Sequence, residues 1–131
     1  MHRSVAALIR SKEGKILMLD RVNFPFGWAC PAGHIEEGEN PEEALAREVK
    51  EEVNIEAKKY DLVLHEFIAE NECKRGVKGH DFFVYEITDW DGEIKNNTES
   101  KEVKWMSKED IKNIRLEEVW KYFVEKLKLF G

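Results

Sequence analysis

Apolar residues open the chain in two nearly continuous runs, Val5 to Ile9 and Ile16 to Leu19, with polar Ser11 to Lys15 and Gly14 between them. That pattern predicts two strands joined by a turn. An aromatic loop, Phe24-Pro25-Phe26-Gly27-Trp28, follows. The period then changes: Leu45, Val49 and Val53 recur at i, i+4 and i+8, which is one apolar stripe of an α-helix. Asn40 suits its N-cap, Pro41 its first position and Glu43 the capping-box carboxylate, and Asn54 tolerates the left-handed conformation that ends a helix. Beyond it, Leu62 to Ala69 and Asp81 to Ile87 read as strands flanking a polar loop, Glu70 to Gly79, with a turn at Asp89-Trp90-Asp91-Gly92. Lys95 to Ser100 is polar and Glu102 to Met106 forms a short strand. Ser107 and Asp110 then start a short helix. Leu116, Trp120, Phe123, Leu127 and Phe130 predict an amphipathic terminal helix. There is no internal repeat, so strands with interspersed helices predict one α/β domain over residues 1–131.

Composition narrows the class. With 37% charged and 42% hydrophobic residues, the chain is an ordinary globular one. No apolar run reaches membrane-spanning length, and Met1-His2-Arg3-Ser4 has no signal-peptide architecture. Cys30 and Cys73 form no CxxC pair, which predicts a reducing, cytoplasmic setting. A net charge of −6 argues against general nucleic-acid binding. It accommodates phosphorylated small molecules if metal ions neutralise them.

The candidate chemistry lies on the central helix. Glu48, Glu51 and Glu52 stand at i, i+3 and i+4, within roughly 100° of one another on a helix of about 3.6 residues per turn. Exposed like charges so placed repel by a few tenths of a kcal/mol per pair. A hard divalent cation offsets this, because carboxylate oxygens are its preferred ligands. The trio also lies beside the apolar stripe, at the rim of the packed side.

These residues belong to a longer frame: Gly33, Glu39, Arg47-Glu48-Val49-Lys50-Glu51-Glu52 and Asn54-Ile55, approached through Trp28-Ala29-Cys30-Pro31-Ala32. The frame resembles the signature box of the Nudix hydrolases, which include the MutT-type pyrophosphohydrolases. It departs from that pattern only at Asn54, where the box has glycine. The resemblance implies an α-β-α sandwich around a central mixed β-sheet. It also implies cleavage of the phosphoanhydride of a nucleoside diphosphate linked to another group.

Such cleavage requires an activated water and stabilisation of clustered negative charge, both of which Mg²⁺ supplies; Mn²⁺ also suits the donors. By similarity to the family, Glu48, Glu51 and Glu52 are the metal-ligand and base candidates, with the Ala32 carbonyl as a further ligand. Glu52 is the surest ligand, and the roles of Glu48 and Glu51 stay open. Glu99, in a later polar loop, is another base candidate, with Glu102 behind it. The resemblance gives Arg47 a structural role, pairing with Glu39 to hold the Gly33 loop against the helix. Arg21 is a candidate phosphate contact, His34 and His80 are polar candidates near the site, and Phe24, Phe26 and Trp28 are candidates to stack a base. The expected partner is a small-molecule nucleotide, acted on by a monomer or homodimer with no nucleic acid or membrane. Nucleoside triphosphates are the first subclass. A non-catalytic nucleotide-sensing module is the alternative, which lost box glutamates would favour, and none is lost.

Overall fold

A computed structural model describes residues 2–22, 26–72, 78–95 and 100–127. The elements are β1 (His2–Ile9), β2 (Ile16–Arg21), β3 (Gly27–Ala29), β4 (Ala32–His34), α1 (Pro41–Val53), β5 (Glu56–Glu72), β6 (Lys78–Asp91), β7 (Ser100–Met106), α2 (Lys108–Lys112) and α3 (Glu118–Lys126). The strands form a four-stranded sheet, β4-β1-β6-β5, and a three-stranded sheet, β3-β2-β7. The larger sheet is mixed, since β1 runs parallel to β6 and antiparallel to β4.

The two opening runs are continuous in apolar residues because both of their faces are covered. Val5, Ala7 and Ile9 of β1, with Leu17 and Leu19 of β2, pack in one core with Ala44, Leu45, Val49 and Val53 of α1. The alternate residues Ala6, Leu8, Ile16 and Met18 pack in a second core with Ile111, Val119, Trp120 and Phe123 from the α2–α3 side. Helix, strands, helices is thus the layer order, as the resemblance implies. Each of Leu45, Val49 and Val53 is at most 1% exposed, and burying such side chains stabilises by roughly 1.5–3 kcal/mol apiece.

Helix α1 begins and ends where its sequence signals place it. Asn40 and Glu43 form a complete capping box, and Asn54 closes the helix at φ 64°, ψ 36°. Ser107 and Asp110 likewise form a capping box ahead of α2.

Four expectations change. Gly27–Ala29 and Ala32–His34 are strands, not loop; each is three residues long and is held by ladder partners distant in sequence. The strand expected at Leu62 to Ala69 runs from Glu56 to Glu72, because β5 and β6 continue their hairpin into polar sequence. The turn expected at Asp89 to Gly92 is the end of β6, which continues to Asp91. The terminal helix starts at Glu118 rather than Leu116. Leu116 is diverted into a parallel bridge with Trp28, while the Trp28 N–H donates to the Arg115 carbonyl at 2.8 Å. Phe24, Pro25, Cys73, Glu99 and Phe130 lie outside the described residues.

Candidate functional site

Strand β4 is the edge on which the glutamate helix docks. Gly33 pairs with Val5 of β1, while the Ala7 N–H donates to the Pro31 carbonyl and the Ile35 N–H to the Arg3 carbonyl. By the alternation of an antiparallel ladder, Ala32 and His34 turn their own N–H and C=O groups away from β1. Both outward groups with assigned partners meet α1. The Ala32 N–H donates to Glu52 Oε1 at 3.2 Å, and Arg47 Nη2 donates to the His34 carbonyl at 2.9 Å. The Ala32 carbonyl faces the same edge.

Arg47 gathers the box. Its Nε and Nη2 grip Glu39 at 2.8 and 2.9 Å, a bidentate fork that lysine cannot make. Its Nη1 donates to Glu48 Oε1 at 2.8 Å and lies 3.4 Å from Glu51 Oε2. The arginine hydrogen bond holds the Glu39 carboxyl at a pKa of about 2, and the same contact raises that of Arg47. Arg47 therefore reaches not only the loop but two of the three box glutamates, contacts that its sequence position does not reveal.

The glutamates divide into a pair and an outlier. Glu48 is 14% exposed at its side chain and Glu51 58%. Glu48 and Glu52, one turn apart, hydrogen-bond to each other. Burial pushes Glu52 well above the ordinary carboxylate range, and the Glu48 charge pushes it further. Burial also raises Glu48, against the opposing pull of its bonds to Glu52 and Arg47. Burial thus disfavours charge on both carboxyls, most strongly on Glu52. Among the described residues no three carboxylate, imidazole or thiol groups converge as a ready metal cluster, because Glu51 turns outward.

The donors nonetheless fit a hard divalent cation. Two largely desolvated carboxylates stand side by side, each resisting ionisation that a cation would offset, and a backbone carbonyl edge adjoins them. Gly33 provides the room. A Cβ there would overlap the Glu48 carboxyl group, so the glycine is required by space and not by a turn. Gly33→Ala should displace Glu48 and weaken metal affinity roughly 10- to 100-fold, while the flexible glutamate end keeps the stability loss near 1 kcal/mol. Titration of Mn²⁺ binding beside a denaturation curve checks this; unchanged affinity would remove Gly33 from the site.

Other candidates fall around this pair. Arg21 ends β2, with its Nε 3.4 Å from Glu117 Oε2 and its charge acting on Glu52. His34 and His80 bring their Nε2 atoms to 3.3 Å, His80 being 1% exposed. Glu102 lies on β7 beside Lys104, at 3.9 Å. Glu99 is undescribed, but its neighbour Ser100 stands opposite Arg21 in the ladder. Phe26 is 51% exposed, whereas Trp28 packs against the core.

Sequence reasoning missed Glu117. It is 7% exposed, and burial raises its pKa to about 7 against the pull of Arg21. Nothing in the local sequence marks it, since it reads as a polar position on an amphipathic helix.

Residues 1–127 match the model of the NUDIX domain family. The ADP-ribose pyrophosphatase of Methanocaldococcus jannaschii is 34% identical over 118 residues, covering 87% of this chain and 66% of that protein, so the chain spans just under two thirds of it. The nucleoside triphosphatase NudI of Escherichia coli is 29% identical over 119 residues, covering 83% of this chain and 84% of NudI. The crystal structure of the MutT protein from Methanosarcina mazei Go1 is similar at a TM-score of 0.81 and 27% identity, covering 97% of this chain and 92% of that one. With its residues 1–127 matching the family model and this fold around a box that departs from the pattern only at Asn54, the chain belongs to the NUDIX family.

Proposed function

We propose that the protein is a divalent-metal-dependent pyrophosphohydrolase acting on a nucleoside diphosphate linked to another group, with nucleoside triphosphates as the first substrate class. The observation that carries this reading is the Glu48–Glu52 pair, two largely desolvated carboxylates set side by side, with Glu52 Oε1 accepting the Ala32 N–H at 3.2 Å. Glu48, Glu52 and the Ala32 carbonyl would hold Mg²⁺, with Mn²⁺ also suited to the oxygen donors. When bound, the cation activates water and neutralises phosphate charge. Glu51, 58% exposed and paired with Arg47 at 3.4 Å, is the carboxylate assigned to accept a proton from water in this reading. Arg47 and Glu39 keep the strand edge and helix in register, and Arg21 supplies positive charge for phosphate oxygens. The net charge of −6 requires such local cations to recruit an anionic substrate.

The M. jannaschii relative's name favours a second substrate, ADP-ribose, in which the same linkage joins a nucleoside diphosphate to a sugar. One panel tests both. The purified protein, with Mg²⁺ or excess chelator, is incubated with ordinary and 8-oxo nucleoside triphosphates, ADP-ribose, nucleotide sugars and dinucleoside polyphosphates. Metal-dependent release of a nucleoside monophosphate is expected, and the compound that yields it names the class. Binding without turnover of any of them would leave the nucleotide-sensing module instead.

A further inference from the structure

A cavity of about 550 Å³ lies beside the turn between β1 and β2, where the two sheets adjoin. Lys12, Glu13 and Lys15 line it from the turn, Asp89 and Trp90 from β6, and Trp105 from β7. Its volume falls within the range of small-molecule sites, roughly 300–1,000 Å³. It stands apart from the box. Ala32, which meets Glu52, pairs with Ala6 of β1, and the turn begins only at Arg10, about 13 Å further on at roughly 3.3 Å per residue.

The turn is held by its own hydrogen bonds. Ser11 N–H donates to the Lys15 carbonyl at 2.9 Å, Gly14 N–H to the Ser11 carbonyl at 3.0 Å, and Lys15 N–H to Ser11 Oγ at 3.0 Å. Arg10 belongs to this framework, its Nε on Glu86 at 3.1 Å and its Nη1 on the Gly14 carbonyl at 3.2 Å. Lys12 and Lys15 do not: among the described residues neither is in an ion pair, and Lys15 acts on Asp110 only through its field. Below them the Trp90 and Trp105 rings stack with centroids 5.6 Å apart and planes 29° from parallel. One indole comes from each sheet, opposite Ala57 and Leu17 respectively. Both pack against the α1-side core but stay partly exposed at the cavity, where they form an aromatic wall.

We propose that this cavity is a second ligand site, for a nucleoside monophosphate whose base lies against the Trp90–Trp105 wall and whose phosphate meets Lys12 and Lys15. An indole face accepts any base, since every base has a π-face. Two unpaired ammonium groups match a monophosphate, which carries a charge on the order of −2 near neutral pH. Glu13 and Asp89 repel a bare anion but accept hydrogen bonds from ribose hydroxyls or exocyclic amines. A nucleotide thus satisfies both signs of charge and the aromatic wall together. No divalent cation is needed, so the site is independent of the metal-dependent reading above.

The test is titration of the full chain with AMP and with GMP in excess chelator, read by tryptophan fluorescence and calorimetry. Ribose 5-phosphate and adenosine serve as half-ligands. Saturable quenching is expected, with a Kd at least roughly tenfold below that of either half-ligand. Replacing Lys12→Ala and Lys15→Ala together should raise Kd roughly tenfold and flatten its salt dependence, leaving metal-dependent turnover unchanged. Both positions lie on a surface turn, so this variant keeps the test valid if Trp90→Leu, expected to weaken binding similarly, fails to fold. Glu52→Gln should bind as the unsubstituted protein does. Absence of binding, or equal affinity for ribose 5-phosphate or for adenosine, would overturn the proposal. So would binding lost in Glu52→Gln but kept in the lysine variant, which would assign it to the box. Failure of the hydrolase reading would show instead as no turnover with Mg²⁺, whatever these titrations give.

Discussion

Glu52→Gln should lower metal-dependent turnover by roughly a thousandfold or more, a loss of about 4 kcal/mol of transition-state stabilisation at 1.36 kcal/mol per decade. It should do so without weakening the metal-free fold. Glu52 is the most deeply placed of the box carboxylates: it accepts the Ala32 N–H at 3.2 Å and lies against Glu48, whose charge acts on it. A glutamine keeps that acceptor and the side-chain volume. It removes only a group whose ionisation burial and Glu48 both oppose. As rising pH drives the glutamate to ionise in a desolvated place, the glutamine variant should melt at an equal or higher temperature without metal. Activity and stability therefore move in opposite directions, as they do when a residue is retained for a ligand rather than for the fold. A thermal melt with chelator beside a kcat measurement with Mg²⁺ decides this. A variant that loses stability along with activity would make Glu52 a structural carboxylate, and one that keeps full activity would move the metal site elsewhere.

The parts legible in the sequence are those that local chemistry specifies. The caps of α1 were readable because Asn40, Glu43 and Asn54 satisfy backbone groups within a few residues of themselves. The two-sided burial of β1 and β2 was readable as uninterrupted apolar runs. The short strands β3 and β4 were not, because three residues containing a glycine carry no alternation and become strands only by pairing with β2 and β1. The same limit applies to the site. The spacing of Glu48, Glu51 and Glu52 put three carboxylates on one helix sector, but it could not show that Arg47 draws Glu48 and Glu51 toward itself while Glu52 turns to the Ala32 edge. Nor could it reveal Glu117, which stands 96 positions from Arg21 and reaches it only because Gly27 lets two backbones close together.

Without metal the protein should lose stability as pH rises from about 5 to 8, and Mg²⁺ should reverse that trend. The sign follows from the direction of the shifts. Glu52, Glu48 and Glu117 all have folded-state pKa values above their ordinary ones. A carboxyl raised by folding contributes stability that is complete below its unfolded pKa and is lost as pH rises through its folded one. For Glu117 that span runs from the ordinary 4.5 to about 7, and corresponds to on the order of 3 kcal/mol. The losses at Glu52 and Glu48 add to it. Glu39, held at about 2 by Arg47, and Asp110, lowered by its bonds to Ser107, act oppositely. Their contributions are already complete above the ordinary carboxylate range, so they do not offset the fall. A cation held by these carboxylates binds more tightly as pH rises, since it competes less with protons there. At a hundred times its Kd it adds about 2.7 kcal/mol, near 10 °C in Tm for a chain of this size. Melts at pH 5, 6.5 and 8, with chelator and with Mg²⁺, read both effects. Stability that rises toward pH 8 under chelator would refute the raised carboxylates. A metal-free fall with no recovery in Mg²⁺ would leave them buried and ionising but deny them the cation. Glu52→Gln separates the two sources: it should abolish the Mg²⁺ increment and leave the portion of the fall that belongs to Glu117.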